Sequence, residues 1–185
     1  MKADPIIIDK ARALAIDHHR FQRYGRDFTH VHHLTAVAGL VSLHSTDVAT
    51  NAAAWLHDIV EDPNSESEFT VEDIMYAYGD DIGGIVDRVT DPAGLGRFEA
   101  KKISLPRAAG DIRSSIVKLA DRYCNHAFTI LTEDQKFAQL YLNEFDFFMH
   151  TFYRAGREQM PLFRMVGAQQ EQLRRLAELR LVRAV

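Results

Sequence analysis

The sequence predicts an all-α fold, and three observations carry that expectation. Apolar residues recur at helical spacing along most of the chain. No alternating apolar–polar run is long enough to read as a sheet. Capping and breaking residues fall where such helices should start and stop. The chain has 185 residues, 46% of them hydrophobic, which supports one domain over 1–185 and leaves no room for two large ones.

The first helix runs from Pro5 to about Arg23, with Ile8, Ala11, Ala15 and Ile16 near helical spacing. The polar segment Tyr24-Gly25-Arg26-Asp27 interrupts it, and helical texture returns from about His32 to His44. Ser45-Thr46-Asp47 is an N-cap region for the next helix, which extends to Pro63. Residues Pro63 to Glu68 read as a loop. Thr70-Val71-Glu72-Asp73 resembles a capping box, with Asp where Glu or Gln is usual. Gly79 ends that short helix, and another spans about Asp80 to Val89. Thr90 to Gly96 is a break rich in Gly and Pro. Further helices are expected near 97–108, 111–131, 133–156 and 160–182. The last carries Leu173, Leu176 and Leu179 among charged residues, which fits docking on its own domain or a homo-oligomer contact.

The net charge of −4 argues against nucleic acid as a main partner. No apolar run approaches membrane-span length, and the N-terminus lacks a signal-peptide pattern. Cys124 is the only cysteine, so no internal disulfide forms, and a reducing cytoplasmic setting is expected. A packed Cys124 fits better than a catalytic thiol.

The segment Trp55-Leu56-His57-Asp58-Ile59-Val60-Glu61-Asp62 places a histidine and three carboxylates inside an apolar stretch. On a helix, His57 and Glu61 are one turn apart, as are Asp58 and Asp62. Charges at the margin of an apolar segment are costly unless paired or bound to a metal, so a metal site is the first reading. Distant partners are available. Upstream lies Thr29-His30-Val31-His32-His33-Leu34-Thr35-Ala36-Val37-Ala38, in which His30, His32 and His33 are alternative ligands. Downstream, Asp121 is embedded in the apolar run Ile116-Val117-Lys118-Leu119-Ala120. His18, His19, His44, His126 and His150 are expected at the surface or in supporting positions.

The H…HD…D order resembles that of the HD phosphohydrolase superfamily, which implies an all-α fold around a divalent metal. Leu56-His57-Asp58-Ile59-Val60-Glu61-Asp62 resembles the LLHDxxEDT signature of the RelA/SpoT hydrolase domain. Tyr78-Gly79 with Val86 to Asp91 resembles its FG…V..VT block, and Lys118 to Asn125 its KLADRxxN block. Ala15 to Gln22 resembles its AHxGQ segment, whose spacing to the HPxxVA histidine lands on His33. The likeness spans about residues 8–145, leaving C-terminal helices over 146–185. It implies a small stand-alone alarmone hydrolase. Leu34 replaces the family's Pro, Pro63 its Thr, and Tyr24 the Arg of the N-terminal segment, with Arg23 and Arg26 nearby.

Carried onto this chain, the resemblance implies His33, His57, Asp58 and Asp121 as metal ligands, with Glu61 and Asp62 handling water and protons. Mn²⁺ is the metal implied, and the imidazole and carboxylate ligands also admit Zn²⁺ or Fe²⁺. Arg23, Arg26 and Lys118 are candidates for phosphate, and Asn125 and Tyr141 for ribose or base. Lys118 pairing with a carboxylate and Tyr141 packing in the core are equal alternatives. The reaction implied is removal of the 3′-pyrophosphate of (p)ppGpp or (p)ppApp. A different HD-type phosphohydrolase (a nucleotidase or NADPH phosphatase) and a non-catalytic nucleotide-binding module are the alternatives.

Overall fold

The computed structural model describes residues 4–26, 28–61 and 68–182, with side chains described through Leu179. The architecture is all-α, with ten helices and one two-stranded ribbon among the described residues. The chain packs as two compact units, residues 1–118 and 119–185. No described helix is long and apolar enough to cross a membrane.

The first unit holds α1 (Ile6–His19), β1 (Arg23–Tyr24), β2 (Phe28–Thr29), α2 (His30–His44), α3 (Val48–Leu56), α4 (Val71–Tyr78), α5 (Asp80–Val89) and α6 (Arg97–Gly110). The helix α7 (Ile112–Leu131) begins in this unit and ends in the second. Helix α3 is central, packed on α1, α2 and α5. Its Ala49, Ala52, Ala53 and Leu56 recur at i, i+3, i+4 and i+7 and are all buried. Three of these four side chains are a single methyl, so neighbouring helices approach closely. Asp47 caps α3 by accepting from Thr50 N–H at 2.9 Å.

The expected capping box is present: Thr70 and Asp73 bond reciprocally at the start of α4. Gly79 joins α4 to α5 at φ +89°, a backbone conformation that L side chains rarely adopt. One turn on, a Cβ at Gly83 would collide with Met75 Cγ and crowd the Met75 backbone. The close α4–α5 seam therefore needs glycine at position 83, and the turn into it needs glycine at position 79.

Three expectations require correction. The first helix stops at His19, and the segment after it forms an antiparallel ribbon pairing Arg23 with Thr29 and Tyr24 with Phe28. Two-residue strands are too short to leave an alternating pattern in the sequence. The helix bearing the charged segment ends at Leu56, and His57 to Glu61 form turns. There the Ala54 carbonyl accepts from the His57 ring, and Ile59 N–H reaches back three residues to Leu56 O. The expected 160–182 helix is two, α9 (Pro161–Ala168) and α10 (Gln170–Val182). Between them the buried Gln169 donates from Nε2 to the Tyr123 carbonyl, and its N–H bonds Val166 O three residues back. The loop expected over Pro63–Ser67 lies outside the described residues.

The second unit holds the rest of α7, α8 (Gln135–Arg154), α9 and α10. Leu173, Leu176 and Ala177 of α10 pack with Ala138 and Tyr141 of α8, so the last helix docks within its own unit. Leu179 is half exposed. Arg122 and Glu144 form a buried ion pair at 2.9 Å, with the guanidinium 4.6 Å from the Phe148 ring centroid. His126, expected near the surface or in a supporting role, is 1% exposed and lies beside the Tyr141 and Phe145 rings. Cys124 is buried, and burial pushes its thiol up to about 12.

Burial first, then the Arg122 charge, pushes the His126 imidazole down to about 3 from an ordinary 6.5. Between those values the unfolded chain binds a proton that the folded chain does not. Stability from this group is therefore intact above 6.5 and is lost as pH falls toward 3. His126→Leu should show a smaller loss of urea midpoint between about pH 7.5 and about pH 5 than the parent chain. Parallel losses in the two proteins would contradict this.

Candidate metal centre

The candidate centre in the first unit begins with the end of α3. His57 is the C-cap residue and is 2% exposed. Its Nδ1–H donates to Ala54 O at 2.8 Å, which turns Nε2 away from its own helix. Helix α2 supplies His33, 1% exposed, whose Nε2 lies 3.3 Å from His57 Nε2. Asp58 closes the set: Oδ1 is 3.2 Å from His57 Nε2 and Oδ2 is 3.5 Å from His33 Nε2. One donor atom from each of the three residues lies within 4.8 Å of the others. Two ring nitrogens and a carboxylate converging in a buried place suit a divalent transition metal.

The other two histidines of the upstream cluster fall outside these three converging donors. His32 is exposed and stacks on Phe28. His30 is buried, and its Nε2 meets Asp58 Oδ2 at 2.9 Å. Burial pushes the Asp58 carboxyl up, but three imidazoles, His57 foremost, outweigh it and hold the group well below the usual range. Asp58 is therefore an anion at neutral pH.

Glu61 sits three residues on with the opposite balance. Its Oε2 accepts from the Asp91 N–H at 3.1 Å. Burial raises its carboxyl above the ordinary value, and the charges of Lys118 and Lys101 oppose that only partly. Asp91, in the break after α5, pairs with the buried Lys101 at 2.7 Å and also accepts from Ser104 Oγ. A cavity of about 550 Å³ opens beside Glu61, walled by Thr90–Leu95, Arg97 and Arg107.

The remaining candidates are placed as follows. Lys118 is buried, and its Nζ donates to Val89 O at 2.9 Å. Arg23 and Arg26 are exposed on the ribbon, where Arg23 Nη2 donates to Arg26 O at 2.6 Å. Asp121, in the second unit, is buried and accepts from Asn125 Nδ2 one turn on. Tyr141 is 6% exposed, in the apolar cluster with α10 and under the Arg122 guanidinium. Asp62 lies outside the described residues.

Sequence reasoning missed several contacts. Tyr24 stacks on His33, centroids 4.6 Å apart and planes 12° from parallel. His19 stacks on His30 at 4.5 Å. Lys101, Ser104 and Asp91 form a buried polar group beside Glu61. Tyr24 left one signal, since it stands where the resemblance expects arginine. Lys101 and Ser104 left none, because a buried lysine on a charged helix looks like any solvated one.

The HD-domain family profile matches residues 11–146. The chain is 34% identical over 130 residues to the guanosine-3′,5′-bis(diphosphate) 3′-pyrophosphohydrolase MESH1 of Xenopus tropicalis, covering 68% of this chain and 70% of that protein. It is 34% identical over 112 residues to the Drosophila melanogaster protein of the same name, covering 58% of this chain and 60% of the other. It is 33% identical over 129 residues to a probable GTP pyrophosphokinase of Mycobacterium leprae, covering 67% of this chain and 16% of that longer protein. A solved structure described as "a metazoan ortholog of SpoT" that "hydrolyzes ppGpp and plays a role in starvation responses" superposes with a TM-score of 0.72. It covers 95% of this chain and 97% of its own at 23% identity, a likeness of fold. With a family profile over most of its length and a MESH1 protein matched across more than two thirds of both chains, this chain belongs to the HD-domain family, in its MESH1 group.

Proposed function

We propose that this protein is a metal-dependent hydrolase that removes the 3′-pyrophosphate of alarmone nucleotides of the (p)ppGpp or (p)ppApp type. The observation that carries the reading is the convergence of His33, His57 and Asp58, in a chain related to MESH1 pyrophosphohydrolases. We assign His33, His57, Asp58 and Asp121 as the ligand set and Mn²⁺ as the ion. We read residues 1–185 as one hydrolase domain, in keeping with a family match that runs through both units. The buried, single cysteine suits a reducing cytoplasm.

The donor set supports such an ion on chemical grounds. His57 is fixed by Ala54 as the tautomer whose Nε2 can ligate. Asp58 is held ionised and needs no deprotonation to bind a cation. A bound divalent ion would supply Lewis acidity toward a phosphoryl oxygen and lower the pKa of water.

The chain's own residues do the rest. A water oxygen attacks the phosphorus bonded to O3′, the P–O3′ bond breaks, and pyrophosphate leaves. O3′ departs as the hydroxyl of the ordinary nucleotide, taking up the proton removed from the water. Glu61 is the proposed acceptor of the water proton. Its Oε2 is tied to Asp91 N–H, so Oε1 is the atom that takes it. A carboxylate with a raised pKa is a stronger base than an ordinary one, which suits that step. Asp62 is assigned to share the proton handling. Arg23 and Arg26, exposed on the ribbon, are assigned to phosphate oxygens, and Asn125 to the ribose. Lys118 already donates to Val89 O, so we assign it to the electrostatics around Glu61 together with Lys101. Tyr141 we assign to packing.

The product assay tests the reading. With Mn²⁺ present, ppGpp should yield GDP and intact pyrophosphate, and chelation should abolish turnover. Asp58→Asn and Asp121→Ala should each lose turnover with their circular dichroism unchanged. Orthophosphate alone, or no product from either ppGpp or pppApp, sinks the proposal.

The raised carboxyl of Glu61 gives a second test. Turnover requires its ionised form, so the rate should fall as pH drops through a value above the ordinary 4.5. Glu61→Gln should lower kcat on the order of 10²-fold or more and erase that acid limb. An unchanged limb in Glu61→Gln would assign it to another group.

A further inference from the structure

His30 is absent from the converging set of donor atoms, yet it is buried and meets the carboxylate at the centre of that set. Its Nε2 lies 2.9 Å from Asp58 Oδ2, a shorter approach than that of either converging imidazole, at 3.2 and 3.5 Å.

The His30 ring is itself fixed from two directions. Its backbone N–H donates to Gln22 O at 2.9 Å. Its face stacks on His19, centroids 4.5 Å apart and planes 28° from parallel. His19 is held by the same glutamine: Nδ1 lies 2.6 Å from Gln22 Oε1, so Nδ1 carries the proton. Burial keeps that imidazole neutral, pushed down to about 4. A neutral ring can lie against His30 without repelling it. Gln22 thus anchors the His30 backbone with its carbonyl and the His30 stacking partner with its side chain.

We propose that His30 is a positioning residue for the metal centre. Its Nε2–H holds Asp58 Oδ2 and fixes the carboxylate with Oδ1 toward His57, while Gln22, acting through His19, fixes His30. Hydrogen bonds to ligating carboxylates orient them, and losing such a partner commonly costs about 10–100-fold in metal affinity. The inference rests on the metal-centre reading above. It adds three residues, His30, His19 and Gln22, to the determinants of binding.

The test is Mn²⁺ binding by calorimetry to metal-stripped protein, with thermal unfolding of the same stripped samples. The parent chain should bind Mn²⁺ at one site. His30→Phe keeps a flat buried ring but no donor, and should raise Kd at least about tenfold. His30→Gln can place an N–H near the same point and should restore Kd to within about threefold of the parent. Gln22→Ala removes the side chain that holds His19 while keeping the carbonyl that holds the His30 backbone, and should weaken binding at least about threefold. Unfolding midpoints without metal that do not track these affinities separate positioning from loss of fold. A parent chain that binds no Mn²⁺ overturns the metal-centre reading, and this proposal with it. A parent that binds while His30→Phe matches it overturns the positioning role alone. Should His30→Phe fail to fold, Gln22→Ala decides: affinity equal to the parent overturns the proposal.

Discussion

The negative charge of Asp58, nearly out of reach of water, is the constraint on which the first unit depends. An isolated carboxylate in such a place would take up a proton. Three imidazoles prevent that, and each comes with structural consequences. His57 is placed by the end of α3, where its ring takes a carbonyl of its own last turn. His33 is placed by the first turn of α2, and His30 by the residue that starts that helix. Packing of α1 and α2 on the small-residue face of α3 is what brings them to one point. The alanines of α3 are thus as necessary to the centre as the histidines.

Two carboxyls three residues apart are driven in opposite directions by their surroundings. Asp58 faces imidazoles and stays ionised, whereas Glu61 is desolvated with its lysines only partly compensating. Division of labour between carboxylates set by environment is a recurrent way for one site to hold charge in one place and move a proton in another. The end of α3 at Leu56 serves that division. Turns over His57 to Glu61 let Asp58 point to α2 while Glu61 reaches the Asp91 amide after α5. A continuous helix would tie their directions to a fixed angular offset.

Much of this was legible in the sequence, and the failures have physical causes. Asp47, the Thr70–Asp73 box and Gly79 are local devices, decided within four residues, and each stands where the pattern put it. A metal site at His57 and Asp58 was suggested by charge embedded in an apolar run, a cost visible without coordinates, and His33 was singled out by the family resemblance. What could not be read depends on partners far along the chain. The helix break at Gln169 is accompanied by a bond to Tyr123, 46 residues earlier. His30, His32 and His33 were indistinguishable by residue type. Helical geometry around α2 alone decides that one stacks outward, one meets Asp58 and one joins the converging set.

The ribbon ties the exposed Arg23 and Arg26 to the histidines around Asp58. Gln22 and His30 flank it and are bonded across its base, backbone to backbone. Between them, Tyr24 lies flat on His33, and Arg23 closes the turn onto Arg26 O. The turn that carries Arg26 is thus linked through Tyr24 to His33 and through Gln22 to His30, both of which approach Asp58. On the proposed assignments, phosphate binding at Arg26 and metal binding at His33 share this tie, and any coupling between them is reciprocal. Tyrosine in place of arginine at position 24 fits this arrangement, because a flat neutral ring packs face to face on imidazole without adding a cation beside a metal ion.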